Sequence, residues 1–353
     1  MRQSLRERLS FTDIFMWVVG ALIVLLIVYG SISTLIIGRY SPRQWFDFVV
    51  NGIMLGSVYA LIALGYTLVY GILRMINFAH SEVFMAGAFN SYFLGTALNQ
   101  SGFLEENPVV GLLLIFAMAM TTSTIVAVLL ERIAYRPLRG APRIVSLITA
   151  IGASFFLQYT FKGLYGAGVK PYPRISVLNE SLAFGEFKIL YMQIFVVAAA
   201  LVLMAALYYI VQRTKVGKAM RAVSEDFDTA ALMGIDVDRI IVITFILGGA
   251  LAGAAGVLWS LVFPQVNFVM GFVPGLKAFT AAVLGGIGNI PGAMVGGLFL
   301  GLIESVGPGL FLDGLKVTAA HQLKDVIAFT MLVLVLIFRP SGILGEKLTQ
   351  KKA

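Results

Sequence analysis

FVPGLKAFTAAVLGGIGNIPGAMVGGLFLGLIESV, residues 272–306, decides how this chain is built. Lys277 and Glu304 are its only charges, and it is far longer than the roughly 20 apolar residues that cross a ~30 Å hydrocarbon layer as a helix. Its centre, Gly285-Gly286-Ile287-Gly288-Asn289-Ile290-Pro291-Gly292, holds more helix breakers than a continuous helix tolerates. The spacing predicts two half-helices meeting at a break. Backbone freed at such a break survives at membrane depth only if it is buried in protein or lines a wet path. Gly285, Gly286, Gly288 and Asn289 therefore belong either to a tight seam between helices or to the wall or gate of a substrate path.

The rest of the chain supplies the surroundings such a break needs. Hydrophobic residues fill 59% of 353 positions and charged residues 12%, against roughly 45–50% and about 25% in soluble domains. Uncharged runs lie at 14–38, 48–73, 83–104, 107–130, 144–161, 189–212, 240–276 and 278–303. A shorter run, 326–338, spans only if its helix starts near Val317 and carries His321, Lys324 and Asp325 in its first turns. Many runs are rich in Gly, Ala, Ser and Thr, which suits close packing of helices in lipid, and no barrel-type alternation occurs. The expectation is an all-α polytopic membrane protein of one domain, 1–353, with about eight full spans plus the broken pair. The apolar run after Arg2, Arg6 and Arg8 exceeds the 7–15 residues of a signal h-region, so residues 1–47 read as an arm and an uncleaved first helix. The absence of cysteine excludes disulfides and thiolate metal sites.

Basic residues orient the bundle. Arg132, Arg136, Arg139 and Arg143 crowd one loop, Arg213, Lys215, Lys218 and Arg221 another; both are expected in the cytoplasm. The N-terminal arm and the tail with Lys347, Lys351 and Lys352 share that sign, so both termini are expected inside and full crossings are even in number. The net charge of +8 is thus accounted for by loops facing the cytoplasm and implies no nucleic acid.

Two polar stretches interrupt the apolar pattern. Within the cytoplasmic loop 213–239, VSEDFDTAALMGIDVDR (223–239) reads as a helix of about three turns, capped by Ser224, with acids in its first turn and Gly234 as its stop. It is either an ordinary connection or a helix that docks a partner through its small, apolar face. GILRMINFAHSE (71–82) places Arg74 at the cytoplasmic edge of a span, where it can snorkel, and Asn77, His80 and Glu82 on the turn beyond. These three either cap helix ends at an interfacial elbow or wall a gate near the cytoplasmic exit. His80 and Glu82 are two residues apart and point to different sides of a helix, which argues against a catalytic pair.

The spacing Asp228-Thr229-Ala230 with Gly234 six residues after the acid resembles the E-A-A-x-x-x-G loop of ABC importer permeases, with Asp for Glu and Thr for the first Ala. Residues 51–89, 221–235 and 278–305 resemble the LivH-type permease of branched-chain amino acid importers, and the likeness runs from about Asn51 to Gly345. That resemblance implies a bacterial inner-membrane permease working by alternating access with a second, LivM-like permease, two cytoplasmic ATPase subunits and a periplasmic or lipid-anchored substrate-binding protein. It also implies a coupling segment made of Glu225, Asp228, Thr229, Ala230, Ala231, Leu232, Met233 and Gly234. No G-x-x-x-x-G-K-[ST] loop occurs, in keeping with a chain that binds no cofactor and leaves ATP and Mg to its partners. A urea or short-chain amide permease shares the loop and glycine pattern. An ion-coupled secondary transporter would put acids at mid-membrane, where only Glu82 and Glu304 are candidates, both near span ends. A zinc protease is excluded, because the chain has two histidines and no H-E-x-x-H.

Overall fold

A computed structural model describes residues 11–339 and 341–345. The arm bases Arg2, Arg6 and Arg8 and the tail bases Lys347, Lys351 and Lys352 lie outside the described residues, as do both termini. Thirteen helices follow one another within the described residues. They are α1 (Phe11–Ile37), α2 (Pro42–Leu73), α3 (His80–Gln100), the short α4 (Phe103–Glu106), α5 (Pro108–Leu130), α6 (Arg143–Tyr165), α7 (Tyr191–Arg213), α8 (Lys215–Glu225), α9 (Phe227–Leu232), α10 (Val237–Val262), α11 (Phe272–Gly285), α12 (Ile290–Gly307) and α13 (Lys324–Phe338).

The longest of them, α2, is the axis of the bundle. Its start is fixed by Pro42 at the first position and by a reciprocal cap between Ser41 and Gln44, and its end by Arg74 in the left-handed region at φ 54°. Residues from Ser57 to Val69 along it are buried. Lipid offers no hydrophobic drive for helix association, so close contact has to come from small residues that let backbones meet. Gly52 and Gly56 on α2 face Gly297 and Gly301 on α12, a G-x-x-x-G pair on each side. A β-carbon on Gly56 would stand 2.8 Å from Leu298 Cα, and one on Gly52 would stand 2.9 Å from Leu302 Cα. The same device sets α10 against its neighbours, with Gly253 facing Ala119 and Met120 of α5 and Gly256 facing Phe84 and Ala88 of α3.

Among the described residues eight helices are long and apolar enough to cross a membrane, which agrees in number with the sequence expectation. The membership differs. His80–Gln100 is not among them, while Ile290–Leu312 is, because α12 runs on through a wider-wound turn at Pro308–Leu312. At 21 residues α3 is long enough to cross but less apolar, and its first ten residues, His80 to Phe89, are buried within the bundle, where polar side chains such as His80, Ser81 and Glu82 can be housed. The last span also departs from expectation. Lys316 and Ala319 both take positive φ, so the helix does not start near Val317; a single 3-10 turn at Ala320–Leu323 precedes Lys324. His321 lies in that turn, and Lys324 and Asp325 open the helix proper.

At the end of the bundle away from the basic loops, residues 166–190 form a small lid. A hairpin pairs β2 (Ser181–Phe184) with β3 (Phe187–Leu190), and β1 (Lys170–Pro171) pairs with β4 (Gln265–Val266) just beyond α10.

Candidate functional site

The basic loops converge at one end. Arg136 and Arg139 both pair with Asp238 at the start of α10, and Arg139 also pairs with the buried Glu131. Arg74 Nη2 donates to the Ser224 carbonyl at 3.0 Å, tying the end of α2 to the end of α8. The segment between α7 and α10 is not the single three-turn helix expected from sequence. Thr214 caps α8 through a bond from Gly217 N at 3.1 Å, and α9 is a separate helix of six residues. Its cap is Asp226, whose Oδ1 accepts from Thr229 N at 2.7 Å; Ser224 instead donates to the Arg221 carbonyl at 2.7 Å from inside α8. Ser224, the expected cap, is still inside α8, and the break in helix falls two residues later, where Asp226 can reach the third N–H ahead. Gly234 ends the turn at φ 83°, as expected.

The surface of this elbow divides the expected coupling residues. Ala230 is buried, holding α9 down. Glu225, Asp228, Thr229, Ala231 and Gly234 are exposed, and Leu232 and Met233 are 88% and 79% exposed. Two large apolar side chains thus stand side by side in solvent at the charged end of the molecule.

The side chains of Asn77, His80 and Glu82 are buried against three different sets of neighbours. All three are buried, and none of their side chains caps a helix; α3 starts at Ala79 without a side-chain cap. Asn77 Oδ1 accepts from the Tyr135 hydroxyl. His80 packs edge-on to Tyr66, with ring centroids 5.0 Å apart, in space left by Gly65, and its Nε2 makes no hydrogen bond among the described residues. Glu82 Oε1 accepts from Ser81 at 3.2 Å, Ser154 at 3.1 Å and Gln158 Nε2 at 2.8 Å, while Oε2 accepts none. His80 and Glu82 share no hydrogen bond, consistent with their two-residue spacing.

The break between α11 and α12 is covered. Asn289 caps α12 by accepting from Gly292 N at 3.0 Å, and the chain after α13 returns to it. Ile343 N donates to the Leu284 carbonyl at 2.8 Å, Leu344 N to the Gly285 carbonyl at 3.0 Å, and Asn289 Nδ2 to the Leu344 carbonyl at 2.9 Å. Gly286, at φ 108°, lies against Gly342 and Gly345. The carbonyls freed by the break thus find donors in a five-residue clasp rather than in water.

A fourth cluster was not read from the sequence. Lys277, 3% exposed, sits on the second turn of α11 with Nζ 2.7 Å from Glu304 Oε1 and 2.6 Å from Asp325 Oδ1. The signal was present: Lys277 is the lone base that separates two long apolar runs, and a buried charge demands a partner.

The family model for the branched-chain amino acid transport system / permease component matches residues 48–336. The high-affinity branched-chain amino acid transport system permease protein BraD of Pseudomonas aeruginosa is 44% identical over 86% of this chain and 96% of its own length. LivH of Escherichia coli K12 is 41% identical over 85% of this chain and 96% of its own. A probable branched-chain amino acid transport permease protein LivH from Methanocaldococcus jannaschii is 29% identical over 84% of this chain and 91% of its own.

Proposed function

This chain belongs to the family of branched-chain amino acid transport permease components, and from that premise we propose how it couples and what it carries. It is a multi-pass inner-membrane permease subunit of an ABC importer, not an enzyme, and hydrolysis of ATP belongs to separate ATPase subunits. Its cargo is a branched-chain or closely related neutral amino acid. Two cytoplasmic ATPases, a LivM-like second permease and a periplasmic or lipid-anchored binding protein complete the machine; the chain itself holds no cofactor, and ATP and Mg sit on the partners.

The observation that carries the coupling mechanism is the exposed pair Leu232 and Met233 on a short helix that Ala230 anchors and Gly234 ends. A groove on the ATPase takes this pair, with Glu225, Asp228 and Thr229 on its rim and Ala231 allowing close approach. When the ATPases close, the elbow moves, and with it α8 and the adjoining ends of α7 and α10. Arg74 carries the displacement to α2 through the Ser224 carbonyl. From α2 it reaches the two gates nearest that end: the buried Asn77, His80 and Glu82 group, and the break at Gly285, Gly286, Gly288 and Asn289 with its clasp. Alternating access follows from packed helices having two discrete arrangements.

Replacing both apolar side chains, Leu232→Glu with Met233→Glu, tests the docking surface, because neither is needed for the fold. The expected outcome is loss of ATPase co-purification and at least a tenfold fall in ATP-driven leucine uptake, with thermal stability of the permease unchanged. Uptake that is undiminished in the variant, or that runs on a proton gradient without ATP, sinks the reading.

A further inference from the structure

A cavity of about 280 Å³ opens at the end of the bundle remote from the basic loops, between the C-terminal end of α10, the first turns of α11, the end of α12 and the start of α13. Nothing in the coupling mechanism uses it. One wall is aromatic: Tyr59, Trp259 and Phe263 form a continuous surface, with Trp259 and Phe263 centroids 4.5 Å apart and Tyr59 and Trp259 6.0 Å apart. The facing wall is ionic. Lys277 is shared between Glu304 and Asp325 and lies 5.8 Å from the Tyr59 ring centroid.

Three features say that this ionic wall is not merely structural. Glu304 is 3% exposed; its Oε1 takes the Lys277 ammonium, and its Oε2, with the Tyr59 hydroxyl as neighbour, has no donor in full hydrogen-bond geometry among the described residues and so has room for a further one. Lys324 lines the same cavity, half-buried, and makes no ion pair among the described residues, so its ammonium is available to an anion. A packed apolar cluster would stabilise the bundle at least as well as a desolvated ion pair, so the pair's survival at a cavity wall points to a ligand.

We propose that this cavity is a binding site for an aliphatic α-amino acid in its zwitterionic form, a proposal that rests on the amino-acid import reading above. The ligand ammonium donates to Glu304 Oε2, its carboxylate pairs with Lys324, and its hydrocarbon side chain lies on Trp259 and Phe263. The four charged side chains sum to zero, which matches a ligand bearing one charge of each sign and no net charge. The volume falls just below that of drug-sized ligand cavities, roughly 300–1,000 Å³, enough for a single amino acid and too little for a peptide. The site would receive cargo before the gates at the other end open.

The test measures saturable binding of radiolabelled L-leucine to the reconstituted membrane complex with its soluble binding protein left out, competed by leucinamide, which lacks the carboxylate, and by 4-methylpentanoate, which lacks the ammonium. Wild-type complex is expected to bind leucine and to prefer it to both competitors. Glu304→Gln and Lys324→Gln should each weaken leucine at least tenfold, Lys324→Gln without weakening leucinamide. Lys324 is on the rim, so its variant remains informative if Glu304→Gln fails to fold. Absence of saturable binding, equal affinity for all three compounds, or wild-type affinity in Lys324→Gln overturns the proposal. ATP-driven leucine uptake by the complete wild-type importer is followed in parallel. Uptake with no cavity binding sinks the site alone; no uptake sinks the import reading.

Discussion

Gly301 has the backbone of Gly56 where a β-carbon would stand, whereas Gly152 on α6 has nothing within 4 Å. The two glycines should respond oppositely to the same methyl group. Gly301→Ala is expected to lower stability by about 1–3 kcal/mol, since neither backbone can yield without moving its helix. Gly152→Ala should cost nothing and can gain up to about 1 kcal/mol from helix propensity. Thermal unfolding of the two variants in the same detergent decides the point. Tyr135→Phe makes a different residue-scale case: it leaves the buried Asn77 Oδ1 without its donor, at a cost of about 1–3 kcal/mol in the same assay. Residue identities such as the glycines of the break and Arg74 at a helix end were legible in sequence, because each acts through its own backbone or charge. Pairings were not. Gln158 reaches Glu82 and Tyr135 reaches Asn77 only because α3, α6 and the turn after α5 meet in space, which no local pattern states.

At the scale of elements, the broken helix is the clearest case of sequence dictating structure, for α11 ends at Gly285 and α12 begins at Ile290 where the breakers fall. What covers the break was not legible, since residues 341–345 are a featureless stretch whose value lies in free N–H groups arriving at the right place. Asn289→Ala removes both the cap of α12 and one bond to the clasp. The expected result is a loss of about 1 kcal/mol, within the 0.5–2 kcal/mol range of caps, together with faster amide exchange at Ile343 and Leu344. Unchanged exchange at both amides would mean that the clasp holds without Asn289. The elbow shows the converse limit: sequence located a helix with a glycine stop, but chose Ser224 over Asp226 as its cap, because both lie within reach of a first turn and only the end of α8 settles which is free to turn inward.

For the whole molecule, the convergence of Arg136, Arg139, Arg221 and Arg74 on one end turns an orientation argument into an experiment. A chain without cysteine accepts single probes cleanly. Cys at position 218, from Lys218→Cys, should be modified by an impermeant maleimide only in inverted vesicles, and Cys at 105, from Glu105→Cys, only in intact cells with a permeable outer membrane; both positions are exposed. The reverse labelling would invert the topology and with it the side on which the ATPases dock. Composition made the polytopic class plain, and charge in the loops made the orientation arguable. It was the buried first half of α3 that broke the rule of apolar spans, since residues housed within the bundle answer to their neighbours and not to the bilayer.

The clasp at Ile343 and Leu344 also sets an order of manufacture. The ribosome releases α11 and α12 well before the amides that satisfy the Leu284 and Gly285 carbonyls, so for the time needed to translate the 36 codons from Gly307 to Ile343 (roughly 2–7 s at 5–20 residues per second) the hairpin sits in the bilayer with its apex unsealed. A nascent polypeptide arrested before residue 343 would expose that apex to quality-control proteases, making these few late residues the seal on everything inserted ahead of them.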